Sequence, residues 1–264
     1  MNIFEKIVEL QKNNTAFVLV TIVNAKGSVP GKVGFKMIVT ASGETYGTVG
    51  GGAIEQTAIK QSKELSSSGE NMMKEYLLSE KVPKSGKEET VIEMMCEGKV
   101  WVYYEVFGQK PTLYIFGGGH VGQALLYQLK YLGYKIILID DRENISELPN
   151  SKIADEIIIT DYDKYASEFQ PIPNCFYVVL THGHKHDYSV LKKLIERKIE
   201  TKYIGVIASK SKAAGLKKQI AEKYNDVPDF SHVYSPIGLG IGGSTAEEIA
   251  LAIAAEIQQI RYTD

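Results

Sequence analysis

The first part of the chain combines two hydrophobic periods, one typical of helices and one typical of strands. Apolar residues return every three or four positions near the start of the chain and again after a run of three glycines. Short apolar runs bounded by turn residues such as Ser42-Gly43 predict strands. The predicted elements are a helix over 3–12, strands over 17–23 and 35–40, a helix over 53–66, and a hairpin of strands 90–95 and 100–107. We therefore predict a smaller mixed α+β domain over residues 1–108.

The pattern changes after Gly108–Pro111, a stretch whose composition is typical of a linker. From there on, short apolar runs alternate with segments of helical period, which predicts a doubly wound, mostly parallel sheet. The predicted strands are 112–116, 135–139, 156–159, 176–180 and 203–207, and the predicted helices are 120–132, 188–198, 210–223 and 245–260. The chain is thus expected to be an α/β protein with a Rossmann-like domain over residues 109–264.

The motif with the clearest mechanism is Gly117–Gly122, which has glycine at its first, third and sixth positions between a predicted strand and a predicted helix. This is the context of a dinucleotide-binding fingerprint, in which the glycines permit a tight turn, close approach of a phosphate, and packing of the helix on the strand. The helix N-terminus offers unpaired N–H groups to an anion, and His120 adds a donor there. The candidate binding residues are Gly117, Gly118, Gly119, His120, Val121 and Gly122.

Two acidic residues, Asp140 and Asp141, end the next predicted strand. They lie about 20 residues after the glycines, where an acid of a dinucleotide site binds a ribose hydroxyl. NAD(P) or another nucleotide is therefore a candidate ligand. The loop could equally hold a different phosphate-bearing cofactor, or the domain could be an empty scaffold.

Three of the five histidines lie in Leu180–Tyr188, directly after a predicted strand and thus at the carboxyl edge of the sheet. Their order, His-x-His-x-His-Asp, exchanges the last two residues of the His-x-His-x-Asp-His motif of binuclear zinc hydrolases, so we predict no metal site. His182 and His184 are candidates for ligand contact, and Asp187 is predicted to cap the helix that follows. A purely structural role of the cluster stays open.

Composition gives no support to several classes of partner and location. The chain has 30 lysines and arginines against 32 acidic residues, which gives no indication of a nucleic-acid or membrane-surface partner. Its two cysteines lie far apart and do not form a disulfide framework. The first helix lacks the apolar core of a signal peptide, and no run approaches the roughly 20 apolar residues of a membrane span. A cytoplasmic location is expected.

Further motifs are spread over both predicted domains. In chain order they are Gly27-Ser28-x-Pro30-x-x-x-Gly34-x-x-Met37, Gly50-Gly51-Gly52-x-x-Glu55, Cys96-x-Gly98, Gly117–Gly122, Thr181-His182-x-His184-x-x-Asp187, Tyr203–Gly205 before Ser209-Lys210, and Ser235–Gly242 before Thr245-x-Glu247. Together they resemble the XdhC/CoxI family, the accessory proteins of xanthine dehydrogenase and related molybdenum hydroxylases. The resemblance runs nearly from end to end. His186 is outside the family pattern, and Glu97 replaces the glycine that usually follows Cys96.

The resemblance implies an accessory factor that binds molybdenum cofactor, supports its sulfuration, and inserts it into an apo molybdenum hydroxylase of the xanthine dehydrogenase type. A cysteine desulfurase is a further candidate partner, and a homodimer is possible. The residues that the resemblance adds as candidates for cofactor binding are Ser28, Gly50, Gly51, Gly52, Glu55, Cys96, Gly238 and Gly242. Cys96 could give a thiolate to molybdenum, because soft metals favour sulfur, or could simply pack as a small apolar residue.

Two enzyme hypotheses remain beside this one. An NAD(P)-dependent oxidoreductase would use the glycine motif for the pyrophosphate and Asp140 for the ribose, although the sequence specifies no clear acid–base pair. A metal-dependent hydrolase would use the histidines. The accessory role is preferred, with the chain as a maturation chaperone rather than as the hydroxylase itself.

Overall fold

The computed structural model describes residues 2–80, 90–94, 96–172, 174–222 and 228–263. Contacts divide the chain into two compact units, Met1–Gln109 and Lys110–Asp264. None of the helices in these described ranges combines the length and apolar character needed to cross a bilayer. The predicted α/β class is confirmed, with a parallel Rossmann-like sheet in the second unit and a mixed sheet in the first.

The first unit is built on a six-stranded sheet of order β3-β2-β1-β6-β4-β5. Its elements are α1 (Ile3–Lys12), β1 (Phe17–Gly27), β2 (Lys36–Thr40), β3 (Thr45–Gly47), α2 (Gly52–Ser68), β4 (Met72–Ser79), β5 (Thr90–Glu93) and β6 (Gly98–Phe107). Helix α1 begins at a capping box, in which the Asn2 side chain accepts from the Phe4 N–H and Glu5 accepts from the Asn2 N–H. Helix α2 buries Ile54, Ala58 and Leu65 in the core of this unit.

The predicted hairpin of 90–95 and 100–107 is wrong. Strand β4, which the sequence did not predict, lies between β5 and β6, and β5 runs parallel to β4 with Leu78 opposite Ile92. β4 buries only Tyr76 and Leu78, and its sequence shows neither a continuous apolar run nor a regular alternation of apolar and polar residues. Met95, the predicted end of the first hairpin strand, lies outside the described residues.

The second unit contains a parallel six-stranded sheet of order β12-β11-β10-β7-β8-β9. Its elements are β7 (Thr112–Phe116), α3 (His120–Leu129), β8 (Lys135–Asp140), β9 (Glu156–Ile159), α4 (Tyr162–Glu168), β10 (Cys175–Val179), α5 (His184–Glu196), β11 (Tyr203–Val206), α6 (Lys210–Ala221), β12 (Val233–Tyr234) and α7 (Ala246–Arg261). Separate apolar clusters cover the two faces of this sheet, as expected for parallel strands that are buried on both sides.

All five predicted strands of this unit are present, whereas α4 and β12 were not predicted. Residue 223, the predicted end of the sixth helix, lies outside the described residues. β7 lies between β10 and β8. The chain runs outward from β7 to β9, crosses to β10 on the other side of β7, and then runs outward to β12. This is the strand order of a dinucleotide-binding fold, and the crevice for a ligand is expected where the order reverses, between β7 and β10.

Candidate functional site

A cleft of about 820 Å³ opens at the carboxyl edge of the parallel sheet, at the point where the strand order reverses. Its floor is the glycine loop between β7 and α3. Its walls come from the ends of the neighbouring strands and from the first turn of α7. The wall residues outside the glycine loop and α3 are Arg142, Leu148, Pro149, Asn150, Tyr162, Leu180, Thr181, His182, Ile207, Ala246 and Glu247.

The glycine loop needs glycine for two different physical reasons. Gly117 has a positive φ of 105°, and a Cβ there would collide with the carbonyl oxygen of Leu180. A Cβ at Gly122 would collide with the carbonyl oxygen of Gly117, so this glycine lets α3 pack directly on the end of β7. The packing role that the sequence predicts for Gly122 is therefore present in the structure.

The N-terminus of α3 is open toward the cleft. Gly119 is its N-cap residue and no side chain caps it within the described part of the chain, while a Cβ at Gly119 would meet no atom within 4 Å. The first helical hydrogen bond runs from the Gln123 N–H to the Gly119 carbonyl, at 2.8 Å. His120 and Val121 line the cleft beside it. Uncapped N–H groups and the positive end of the helix dipole make this position suited to a phosphate.

Asp140 supports the loop from below instead of facing the cleft. Its side chain has no exposed surface, and Oδ2 accepts from the Gly118 N–H at 2.7 Å. The guanidinium of Arg142 donates to both carboxylate oxygens at 2.7 Å. Burial alone would raise the pKa of Asp140, but the hydrogen bonds from Arg142 and Gly118 hold this pKa below its ordinary value. In this arrangement Asp140 presents no oxygen to a ribose, contrary to the role that its position predicts.

Arg142 was not singled out from the sequence. Its side chain is 41% exposed and lines the cleft, while its Nε and one Nη2 hydrogen are used by Asp140. The available signal was its position two residues after the acid that ends β8. An arginine at that place can turn an expected hydroxyl-binding position into an anion-binding one.

His182 and Asp141 join the loops on either side of the glycine loop. His182 follows β10, Asp141 follows β8, and β7 lies between these two strands. The His182 Nε2 lies 2.9 Å from Oδ2 and 3.1 Å from Oδ1 of Asp141. The hydrogen bond that His182 donates to the Asp141 carboxylate raises the pKa of His182 above its ordinary value. The pair thus spans the glycine loop and adds a group that can carry positive charge to its rim.

The other two histidines of the cluster have different positions. The ring of His186 lies 5.2 Å from that of His182 and 5.7 Å from that of Tyr162, so this residue outside the family pattern still packs at the rim. His184 is the first residue of α5, and its side chain lies outside the described part of the structure. Within that part, no three His, Cys, Asp or Glu side chains are arranged to hold a metal ion.

Asp187 does not cap α5, so that prediction is wrong. The helix begins at His184, four residues before the predicted start, and its N-cap is Gly183. The buried carboxylate of Asp187 instead accepts from the N–H of Thr181 at 3.1 Å and from its hydroxyl at 2.5 Å. The side chain therefore ties the first turn of α5 back to the end of β10, where a main-chain N–H would otherwise lack a partner.

In the first unit, Glu55 occupies the donors of the Gly50–Gly52 loop. Its Oε1 accepts from the N–H groups of Val49 and Gly51 at 3.1 and 2.9 Å, and also from the Thr48 hydroxyl. Burial would raise the pKa of Glu55, but these hydrogen bonds bring it below the ordinary value. Glu55 thus holds this loop in shape, and the loop is less suited to a phosphate than the open helix end of the second unit.

Ser28 and Cys96 lie near each other in the first unit. The Ser28 N–H donates to the carbonyl of Glu97 at 2.9 Å, which places Ser28 beside the segment that carries the half-buried Cys96 thiol. A Cβ at Gly50 would collide with the backbone of Gly31. The segment from Ser28 to Gly31 therefore contacts both the Gly50 loop and the segment that carries Cys96.

Gly238 and Gly242 do not belong to the residues that line the cleft. The N–H of Gly238 donates to the buried carboxylate of Glu256 at 2.9 Å, and the Tyr203 hydroxyl donates to the same oxygen at 2.6 Å. This contact fixes the loop against α7. The residues of this region that do reach the cleft are Ala246 and Glu247, the first two residues of α7, which lie between the two partners of a capping box, Thr245 and Glu248.

Comparisons with known proteins agree with this architecture. The model of the XdhC Rossmann domain matches residues 113–257, and the model of the XdhC and CoxI family matches residues 10–76. A crystal structure of a xanthine dehydrogenase from Bacillus halodurans is similar to the chain with a TM-score of 0.52 and 22% identity, over 98% of this chain and 96% of that one. At that identity the likeness shows the fold alone.

Two curated relatives are similar in sequence. The uncharacterized protein YqeB of Escherichia coli (strain K12) is 28% identical over 262 residues, which are 99% of this chain and 46% of the relative. A probable xanthine dehydrogenase subunit of Bacillus subtilis (strain 168) is 33% identical over 152 residues, 58% of this chain and 43% of the relative. The chain spans about half the length of the curated relatives it matches.

Proposed function

The chain belongs to the XdhC and CoxI family, and from this we propose that it is an accessory factor of a xanthine dehydrogenase-type molybdenum hydroxylase that binds molybdenum cofactor as cargo. The single observation that carries the proposal is the open N-terminus of α3 over the Gly117–Gly122 loop. The factor would hold the cofactor during its sulfuration and then pass it to the apo-hydroxylase, with a cysteine desulfurase as the candidate sulfur source.

The chemistry of the cargo suits the cleft. Molybdenum cofactor is a pterin dithiolene that bears a phosphate or a nucleotide, so its recognition requires an anion site with room beside it. The N-terminus of α3 supplies the anion site, and Arg142 adds a guanidinium at the edge of the same cleft. The cleft volume of about 820 Å³ lies within the range of small-molecule sites, about 300–1,000 Å³.

Cys96, in the first unit, is a separate candidate for a sulfur ligand to molybdenum. The Cys96 thiol is half-buried, next to the segment that Ser28 holds by a backbone hydrogen bond. Soft metals prefer sulfur ligands. A Cys96→Ser variant would therefore change the absorption spectrum of the bound molybdenum centre if the thiol coordinates it.

The decisive experiment titrates the purified full chain with released molybdenum cofactor under anaerobic conditions and compares it with Gly119→Asp. The backbone angles of Gly119 suit any residue and its Cβ direction is empty, so the variant is expected to fold. The new carboxylate would cap α3 and occupy the anion site. We expect saturable binding by the unchanged chain and a loss of affinity of about tenfold or more in the variant.

Gly183→Asp is the matched control, because Gly183 is the uncapped N-cap residue of α5 and is not among the residues that line the cleft. It adds the same charge at another helix end and should leave the affinity for the cofactor close to that of the unchanged chain. Absence of saturable binding by the unchanged chain would rule out the proposed function. Equal affinity of Gly119→Asp and the unchanged chain would place the cargo elsewhere on the protein.

A further inference from the structure

The end of β8 differs in charge from the usual dinucleotide site. In such sites an acid at this place binds the ribose hydroxyls, or an arginine nearby accommodates a phosphate on the ribose. Here the acid, Asp140, is fully buried and accepts hydrogen bonds from Gly118 and from Arg142. The group that reaches the cleft from this strand end is therefore the Arg142 guanidinium.

Arg142 keeps donors for a ligand after it has paired with Asp140. A guanidinium presents N–H groups on two edges of a rigid plane. The edge formed by Nε and Nη2 faces Asp140, with both hydrogen bonds at 2.7 Å. Within the described parts of the chain, the edge formed by Nη1 and the second Nη2 hydrogen has no partner, and the partly exposed side chain lines the cleft. Arginine can bind a phosphate in two-pronged fashion through such an edge.

Tyr162 supplies a second, independent sign of a missing ligand at this place. It lines the cleft, and its side chain is 1% exposed. The backbone N–H of Asp141 approaches its oxygen, but its hydroxyl hydrogen has no acceptor among the described residues. A buried hydroxyl without a partner is unfavourable, and native structures rarely leave one so. A phosphate oxygen bound beside Arg142 would give this hydroxyl an acceptor.

The surrounding charges permit a second anion here. The charge of Asp140 is balanced by Arg142, and Asp141 is paired with His182 at 2.9 Å. Gly118 N and Arg142 Nη2 both lie 2.7 Å from the same oxygen of Asp140, so the guanidinium is directly beside the glycine loop. A nucleotide whose 5′-phosphate lies at the N-terminus of α3 would thus bring its ribose to Arg142.

We propose that Arg142 and Tyr162 form a second phosphate subsite, which makes the cleft selective for nucleotides with a phosphate on the ribose 2′-oxygen, the class to which NADP belongs. This ligand is distinct from molybdenum cofactor, and the proposal does not require the cofactor to bind. Because both ligands would use the N-terminus of α3, they are expected to exclude one another from the cleft.

The test titrates the full chain with adenosine 2′,5′-bisphosphate, adenosine 3′,5′-bisphosphate and 5′-AMP, with calorimetric detection. We expect the 2′,5′-bisphosphate to bind at least about tenfold more tightly than 5′-AMP, since a two-pronged phosphate contact is lost in the latter. Arg142→Lys keeps a positive charge beside Asp140 but loses the two-pronged donor geometry of the guanidinium. The ratio of the two affinities should therefore fall to about threefold or less. Tyr162→Phe should lower the same ratio by several-fold without loss of folding.

Lys164→Gln is the matched control, because Lys164 is an exposed cation on the same helix as Tyr162 and does not line the cleft. In this variant the ratio of the affinities for the 2′,5′-bisphosphate and for 5′-AMP should equal that of the unchanged chain. The proposal would be overturned if the 2′,5′-bisphosphate and 5′-AMP bound equally well, if neither bound, or if the 3′,5′ isomer were preferred. It would also be overturned if Arg142→Lys left the ratio of affinities unchanged. Saturable binding of molybdenum cofactor together with no preference for the 2′-phosphate would rule out this inference but not the proposed function. A 2′-phosphate preference without binding of molybdenum cofactor would rule out the proposed function but not this inference.

Discussion

At the scale of single residues, the contacts of Asp140 decide how the cleft works. Its position in the sequence predicts an acid that binds ribose, and the position itself is confirmed, since Asp140 is the last residue of β8. Its partners could not be read from a linear pattern, because the Gly118 N–H and the Arg142 guanidinium approach it only after the strand and the loop are folded. The consequence is a buried carboxylate below the loop and a guanidinium at its surface.

The charge of His182 is likewise set by a contact with a single residue. The hydrogen bond that His182 donates to the Asp141 carboxylate raises the pKa of His182, so His182 is expected to titrate above the ordinary value of 6.5. Because the folded-state pKa is the higher one, the stabilisation from this pair is complete below the unfolded pKa and is lost as the pH rises through the folded pKa. We expect NMR titration of the ring protons to give a raised midpoint that returns toward 6.5 in Asp141→Asn.

His232 provides an internal reference in the same spectra. Burial lowers its pKa, although Asp229 partly opposes this, so His232 should titrate below 6.5 and should not respond to Asp141→Asn. A His182 midpoint at or below 6.5 in the unchanged chain would contradict the ion pair. An unaltered His182 midpoint in Asp141→Asn would show that another group sets its pKa.

At the scale of elements, periodicity predicted the parallel sheet more completely than the mixed one. The strands of the second unit are continuous apolar runs, because helices cover both faces of a parallel sheet. β4 carries Lys74 and Glu75 next to each other among apolar residues, so its apolar and polar positions do not alternate and its pattern is weak. The start of α5 was missed for a related reason, since His184 to Asp187 are all polar. In the structure Asp187 ties this turn to Thr181, a tertiary contact that a linear pattern does not show.

This anchor can be measured as stability. Asp187→Ala leaves the buried N–H of Thr181 without an acceptor, which should lower the free energy of unfolding by about 1–3 kcal/mol. Urea denaturation followed by circular dichroism would measure it. Asp161→Ala is the comparison, because Asp161 is a true N-cap of α4 at the surface, and its loss should cost about 1 kcal/mol. An Asp187→Ala variant as stable as the unchanged chain would show that the contact is dispensable.

At the scale of the whole molecule, each unit has the parts of an independent domain. The first unit has its own core around α2 and one face of its sheet, and the second unit has an apolar cluster on each face of its sheet. The cleft is lined by residues of the second unit. Domains with their own apolar cores can in principle fold alone. The binding properties proposed for the cleft should therefore be present in the second unit by itself.

A chain restricted to residues 110–264 should fold and keep the cleft. We expect it to unfold in a single cooperative urea transition and to retain the preference of the full chain for adenosine 2′,5′-bisphosphate over 5′-AMP. The reason is that the residues invoked for both phosphates, at the N-terminus of α3 and at Arg142, lie after Lys110. The Gly119→Asp form of the same fragment is the control, because it should unfold in the same way but bind neither nucleotide. A fragment that folds cooperatively yet loses the preference would contradict the assignment of both phosphate positions to residues of the second unit.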